Sequence, residues 1–158
     1  MNITVISVGK IKEKYFTAAI DEYSKRLSRF AKLNIIEVAD EKIPDNASEK
    51  EMEQIKEKEG NKILAKLPQN SFVVTLCIEG KEHSSEELAK KIADISMTSS
   101  HITFIIGGSL GLSNTVKSKS ALRLSFGKMT LPHQLMRVVL LEQIYRAFKI
   151  NNNENYHK

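Results

Sequence analysis

Residues 102–112, ITFIIGGSLGL, join a nearly continuous apolar run to a loop that contains three glycines. The apolar run is typical of a central parallel strand that is covered on both faces. Glycines at the carboxyl end of such a strand let the backbone approach a ligand, and open α/β sheets bind their ligands at these ends. Neither the dinucleotide fingerprint G-x-G-x-x-G nor the phosphate loop G-x-x-x-x-G-K-[ST] is present. A tight structural turn is the alternative interpretation of the loop.

On both sides of this stretch, strand-like and helical patterns alternate along the chain. Strands are predicted at residues 3–8, 33–38, 72–78 and 102–106, with a weaker candidate at 121–126. Helices are predicted from apolar residues at three- and four-residue steps over 14–30, 48–67, 84–97 and 132–150. The alternation predicts a single α/β domain over residues 1–158, with a mostly parallel sheet flanked by helices. The charged helix near 48–66 is expected to be mobile or peripheral.

The composition is that of a globular domain, with 41% hydrophobic and 27% charged residues. No stretch approaches the ~18 consecutive apolar residues of a membrane span, and the first residues lack the pattern of a secretory signal. Cys77 is the only cysteine, which excludes an internal disulfide, and we expect it to be a small buried residue on a strand. A cytoplasmic protein without a membrane partner is therefore expected. Four scattered histidines without an H-E-x-x-H motif predict no metal site.

Positive charge is concentrated toward the C-terminal end of the chain, whose net charge is +5. From Val116 onward, eight lysines and arginines face only Glu142 and Glu154. Such an excess attracts a polyanion, for which nucleic acid is the commonest example. An ordinary solvated surface with a lysine surplus is the alternative.

The last predicted helix is apolar around most of its circumference. A surface helix needs only an apolar stripe, so this pattern indicates burial on more than one side. We therefore predict a homodimer through this helix, with a helix deep in the core as the alternative. Glu142 and Arg146 lie four residues apart and are expected to form an ion pair. The preceding loop, residues 125–133, offers free backbone groups to a ligand.

The chain ends on Tyr156-His157-Lys158, which groups a stacking ring, a titratable imidazole and a cation. These three side chains are suited to holding a base and a phosphate. A disordered polar tail is the alternative interpretation.

Taken in order, these motifs resemble the RlmH type of the SPOUT methyltransferases, the family that methylates N3 of a pseudouridine in 23S ribosomal RNA of the large subunit. The resemblance covers essentially the whole chain. It is most specific at residues 104–112, 131–137, 142–147 and 156–158. The tail departs from the family pattern, because asparagines at 152, 153 and 155 replace an Arg-Gly pair and a proline.

The resemblance implies a C-terminal deep trefoil knot, a homodimer and a bent S-adenosylmethionine in the knotted cleft, with no metal. By motif, the residues that bind this cofactor are Leu76, Gly108, Gly127, Lys128, Met129, Thr130, Leu131 and Pro132. No Asp, Glu, Lys or Arg occurs between Ile95 and Val116, and a loop without these charges suits an adenine or a methionine better than a phosphate.

The resemblance also implies a catalytic role for the C-terminal tail on ribosomal RNA, most naturally within the assembled ribosome. Our hypothesis is that His157 or a water accepts the N3 proton while Arg137 or Lys158 stabilises the developing charge. Tyr156 is expected to orient the base, with Glu142 bracing the site. Two alternatives stay open: ribose 2′-O-methylation of another RNA, and a non-catalytic RNA-binding factor for ribosome assembly.

Overall fold

The computed structural model describes all residues from Met1 to Lys158 and contains one five-stranded sheet, in which every pairing is parallel. The strand order is β2-β1-β4-β3-β5. The elements follow one another as β1 (Asn2–Val8), α1 (Lys14–Leu27), β2 (Lys32–Val38), α2 (Glu49–Lys66), β3 (Phe72–Glu82), α3 (Ser85–Ser96), β4 (His101–Ile106), α4 (Asn114–Ser118), β5 (Leu122–Ser125) and α5 (His133–Asn151). The predicted α/β sheet with flanking helices is thus confirmed.

Helices cover both faces of the sheet. On one face, α1, α3 and α5 pack on β1, β4 and β3 through a core that includes Leu27, Ile92, Phe104, Leu140 and Ile144. On the other face, α2 and α4 enclose a smaller core that includes Ile6, Ile63, Ile105, Leu112 and Val116. Residues on each strand alternate between the two cores because successive side chains point to opposite faces.

The direction in which successive strands are added to the sheet changes between the neighbouring strands β1 and β4. Strand β1 leads through α1 to β2 on one side, whereas β4 leads through α4 to β5 on the other. The carboxyl ends of β1, β4 and β3 therefore lie together at one edge of the sheet. Open parallel sheets bind ligands at this edge.

Helix α2 is better integrated than its charge predicts. Four of its own residues are buried: Ile55, Glu59, Gly60 and Ile63. A Cβ at Gly60 would lie 2.6 Å from the Ser113 hydroxyl, so the helix packs closely against the start of α4. The expectation of a peripheral element was wrong, because a thin apolar stripe with a glycine is enough to seat a long helix. No helix combines the length and apolar character needed to cross a bilayer.

Candidate active site

A cleft of about 670 Å³ opens at the carboxyl edge of the sheet, on the side of β4, β3 and β5. This volume is in the range of sites that hold small molecules. Its walls come from the end of β3, the β4–α4 loop, the β5–α5 loop and the first turn of α5. Three of its apolar residues are unusually exposed: Ile78, Met129 and Leu131.

The β4–α4 loop closes on itself through its glycines. The Gly111 amide donates to the Gly108 carbonyl at 3.0 Å, and Gly111 has a φ of +83°, which favours glycine. A Cβ at Gly107 would lie 2.7 Å from the Gly111 carbonyl carbon. The loop is therefore a tight turn, and its glycines also form one wall of the cleft.

Strand β3 is interrupted where it reaches the cleft. Leu76 and Lys81 both pair with Leu124, so the residues between them bulge away from β5. A Cβ at Gly80 would lie 2.7 Å from the Arg123 carbonyl oxygen, which explains the glycine at the end of the bulge. The sequence pattern predicted a strand that stops at residue 78 and missed the bulge.

Cys77 lies on this bulge and lines the cleft. It is partly exposed, so the expectation of a buried residue was wrong. The burial that remains raises the pKa of the Cys77 thiol, and the nearby Glu79 adds to the shift. The thiol therefore stays protonated at neutral pH and is a poor nucleophile.

The β5–α5 loop is tied to the bulge by Ser125. The Ser125 hydroxyl donates to the Ile78 carbonyl at 2.9 Å and accepts from the Gly127 amide at 3.1 Å. Gly127 has a φ of +125°, which favours glycine, and the loop then runs along the mouth of the cleft. Met129, at 85% exposure, projects from it.

The structure brings seven of the eight predicted cofactor-binding residues together in the cleft: Leu76, Gly108, Gly127, Met129, Thr130, Leu131 and Pro132. Lys128 is exposed and does not line the cleft. The charged residues of the lining are Lys56 and the ion pair of Lys117 with Glu79. The hydrogen bond from Lys117 lowers the pKa of the Glu79 carboxyl. The remaining lining is mainly apolar residues and glycines, with Ser109, Thr130 and His133 as uncharged polar residues.

The C-terminal tail is folded against α1 and α5. After a turn at Asn153, which has a φ of +54°, Glu154 accepts two hydrogen bonds from Arg29, at 2.6 and 2.9 Å. Glu154 also forms an ion pair with Lys149. These contacts fix the residues that precede Tyr156, although asparagines replace the family's proline.

Tyr156 packs into a cluster on α5. Its hydroxyl donates to Glu142 at 3.1 Å, and its ring lies 4.7 Å from the Arg146 guanidinium. The predicted ion pair of Glu142 with Arg146 is present at 2.6 Å. Burial, reinforced by the Glu142 carboxylate, raises the pKa of the Tyr156 phenol, which therefore remains a donor.

His157 lies between two charged side chains. Its Nδ1 is 3.2 Å from Nη1 of Arg146, and its Nε2 is 2.7 Å from Oε1 of Glu86. Lys158 is exposed and makes no side-chain hydrogen bond or ion pair. The structure thus assembles Glu142, Tyr156 and His157, with Lys158 directly following. Arg146 and Glu86 complete the cluster.

A second cavity, of about 240 Å³, adjoins the cleft. It shares Phe126 and Gly127 with the cleft and is also lined by Gln143. The Gln143 amide donates to Glu142 at 2.8 Å and accepts from Ser85 at 2.7 Å. Gln143 therefore connects this cavity to Glu142, which in turn binds the Tyr156 hydroxyl.

The family model described as "Predicted SPOUT methyltransferase" matches residues 1–157. The chain belongs to the SPOUT methyltransferase family. Its curated relatives include proteins named ribosomal RNA large subunit methyltransferase H from Clostridium novyi and Clostridioides difficile. They are 62% and 60% identical over 100% of this chain and 100% of each relative.

A solved structure of a probable methylase family protein from Haemophilus influenzae Rd KW20 has the same fold. It matches this SPOUT methyltransferase with a TM-score of 0.55 over 99% of this chain and 70% of the other, at 14% identity.

Arg137 is not part of the tail cluster in this SPOUT methyltransferase. It is 2% exposed, and its guanidinium donates to the carbonyls of Val8 and Gly9 at 2.8 Å and to Glu37 at 2.6 Å. Five helical steps of about 100° place it roughly 140° around α5 from Glu142. Arg137 is therefore not placed to stabilise charge at the tail, as the hypothesis requires: its Nη atoms donate to the end of β1 and to Glu37 of β2, and its Nε has no hydrogen-bond partner.

Sequence reasoning missed Glu59, which supports the glycine loop from behind. It is 5% exposed, its Oε2 accepts from the Glu41 amide at 3.0 Å, and its Oε1 lies beside Gly108. Burial raises the pKa of the Glu59 carboxyl, and the nearby Asp40 adds to the shift. The signal in the sequence was the pair Glu59-Gly60, a small residue beside an acid on an otherwise exposed helix.

We expect Glu59→Gln to stabilise the protein at neutral pH. The raised pKa means that ionised Glu59 opposes folding above its folded pKa, and this penalty vanishes below the unfolded value of about 4.3. Glutamine keeps the acceptor for Glu41 and carries no charge. Urea unfolding should show a stability gap at neutral pH that narrows as the pH falls. The exposed control Asp94→Asn should leave stability nearly unchanged, and a glutamine variant less stable than wild type at neutral pH would contradict the assignment.

Proposed function

We propose that this protein transfers the methyl group of S-adenosylmethionine to N3 of a pseudouridine in 23S ribosomal RNA of the large subunit. The observation that carries the proposal is the fixed position of Tyr156 and His157, which are held by Glu142 and Arg146 of α5 and by Glu86 of α3. Polar residues at a chain end are usually disordered, so such fixation favours a chemical role. Full-length relatives named ribosomal RNA large subunit methyltransferase H support the substrate.

The cleft fits S-adenosylmethionine in size and chemistry. Leu76 and the glycine loop offer apolar surface and close backbone, and residues 127–132 offer amides and carbonyls along the mouth. Lys128 is exposed and does not line the cleft, although Gly127 and Met129 on either side of it do. The sulfonium supplies an intrinsically transferable methyl group, so the protein's main task is alignment of the two reactants.

The tail residues supply the remaining chemistry in this proposal. The N3–H of the base has to lose its proton, and charge develops on the adjacent carbonyl oxygens. His157 is the proton acceptor among the groups of the cluster, and the unpaired Lys158 stabilises the charge. Tyr156, oriented by Glu142, positions the base.

A homodimer and a deep trefoil knot in the C-terminal part belong to the same proposal. The dimer is supported by α5, where Leu135, Val138, Val139 and Phe148 remain only partly buried although α1 and α3 pack on the helix. The knot is supported by membership in the SPOUT family. The cytoplasm is the proposed location, because a large ribosomal subunit is the proposed substrate.

The test is a methylation assay with radiolabelled S-adenosylmethionine on free ribosomal RNA, isolated large subunits and assembled ribosomes. We expect label in the large-subunit RNA of assembled ribosomes, and mass mapping of its nucleotides should locate the methyl group on a pseudouridine base. Label on a ribose would favour the 2′-O alternative. Binding of RNA without label would favour the non-catalytic assembly factor.

Removing the tail groups should lower turnover without weakening cofactor binding. We expect His157→Ala to reduce kcat by about 100-fold or more, as for loss of a general base, and Tyr156→Phe by about tenfold. Turnover on ribosomes and calorimetry with S-adenosylmethionine measure the two effects separately. Tyr15→Phe is the matched control, because Tyr15 is 66% exposed and its hydroxyl makes no hydrogen bond. Wild-type turnover in both tail variants would refute the catalytic assignment.

A further inference from the structure

Glu86 lies in the first turn of α3 and contacts the tail across 71 residues of sequence. Its Oε1 is 2.7 Å from Nε2 of His157. The side chain of Glu86 is 63% exposed, and exposed ion pairs contribute little to stability. Glu86 therefore adds little to stability, and its contact with the imidazole of His157 points to a role in the proposed reaction.

The contacts of His157 determine which of its nitrogens carries the proton. An arginine can only donate, so Nδ1 accepts the hydrogen bond from Arg146 and is unprotonated. Nε2 therefore carries the proton and donates it to the Glu86 carboxylate. This hydrogen bond holds the pKa of Glu86 below its usual value, so the carboxylate is ionised.

The ring lone pair that can take up a proton is therefore the one on Nδ1. In this structure it accepts the hydrogen bond from Arg146. Arg146 is also held by Glu142, to which its Nε and Nη2 donate. A substrate that displaces the Arg146 guanidinium from His157 would uncover Nδ1. Glu86 would meanwhile keep the ring from turning.

We propose that Glu86 is a positioning residue for His157, fixing the tautomer in which Nδ1 is the proton acceptor. The inference rests on the proposed function, because it deepens the role of the same tail. In the step, the N3–H bond of the base breaks and an Nδ1–H bond forms. The N3 lone pair takes the methyl group as its bond to sulfur breaks, and S-adenosylhomocysteine leaves. The Glu86 carboxylate then faces an imidazolium, as the carboxylate of a Ser-His-Asp triad does.

The first test needs no substrate. Long-range ¹⁵N–¹H spectra of the full-length protein report the tautomer of each histidine, and the His157 signals are assigned by their loss in His157→Ala. We expect the Nε2–H tautomer in wild type and in Glu86→Gln, which keeps an acceptor oxygen. In Glu86→Ala we expect a mixture of both tautomers. A wild-type spectrum with the proton on Nδ1 would overturn the proposal.

The second test measures kcat and KM on assembled ribosomes. We expect kcat to fall about tenfold in Glu86→Ala with KM unchanged, as for a general base that has lost its orientation, and to recover in part in Glu86→Gln. Asp94→Ala, an exposed carboxylate on the same helix, should match wild type. An unchanged kcat in Glu86→Ala would overturn the role of Glu86. Wild type without methyl transfer would instead refute the proposed function, and the spectra would still decide the tautomer.

Discussion

Gly107→Ala will lose most of its affinity for S-adenosylmethionine, with a rise in Kd of about 100-fold, or about 2.7 kcal/mol. The added Cβ would lie 2.7 Å from the carbonyl carbon and 2.9 Å from the carbonyl oxygen of Gly111. Both are backbone atoms of the turn that Gly108 and Gly111 close, so a rotamer change cannot relieve the overlap. The loop must move, and the wall of the cleft moves with it. Isothermal titration calorimetry measures the loss.

A graded comparison separates this steric effect from a general loss of structure. At Gly108 a Cβ would meet the Val8 side chain at 3.2 Å and the Glu59 carboxylate at 3.5 Å, so Gly108→Ala should weaken binding less than Gly107→Ala. At Gly111 nothing lies within 4 Å, and alanine there carries only the strain of a positive φ, about 1–2 kcal/mol. Thermal melts establish that each variant is folded. Wild-type affinity in a folded Gly107→Ala would contradict the assignment of the cleft.

Arg137→Leu will destabilise the fold by about 2–5 kcal/mol, because two buried carbonyls lose their donor at about 1–3 kcal/mol each. The change leaves the carbonyls of Val8 and Gly9 without a donor and Glu37 without its cation. Domains of this kind have about 5–15 kcal/mol of stability in total, so the loss will be plain in urea unfolding. The stability of Arg137→Lys should lie between that of wild type and that of Arg137→Leu, because one lysine nitrogen cannot reach all the acceptors that the two Nη atoms serve.

Arg123→Leu is the matched control, because Arg123 is exposed and has no ion-pair partner. It should change stability by no more than about 0.5 kcal/mol. One result would contradict a purely structural role for Arg137. If Arg137→Lys kept full stability and lost turnover on ribosomes, the guanidinium would act on the substrate after all.

The fold was predictable where burial imposes a period on the sequence. Strands β1, β3 and β4 are covered on both faces and carry apolar runs that nothing else explains. Helix α4, at five residues, is too short to establish a helical period and was not predicted. The burial of α2 was missed because a few contacts made by Ile55, Gly60 and Ile63 outweigh a charged exterior.

The candidate site was predictable only in part, since its contacts join distant residues. Motif resemblance located the cleft loops, because both are contiguous in sequence. The bulge of β3 was missed because alternation along a strand does not reveal residues that leave the ladder. The direction of Arg137 was not predicted, because sequence spacing shows which residues share a face of α5 but not which face packs on the sheet. Glu86 showed only the signature of a helix start, and its partner is 71 residues away.

The cleft also divides the chain between chemistry and support. Of its 22 lining residues, Lys56 is the only one that precedes Leu76. Strands β1 and β2, with α1 and α2, form nearly half of the sheet and its cover, yet they supply almost none of the lining. The outer surface of that half can therefore change in sequence without altering the lining of the cleft, provided that its core still supports β4 and β3.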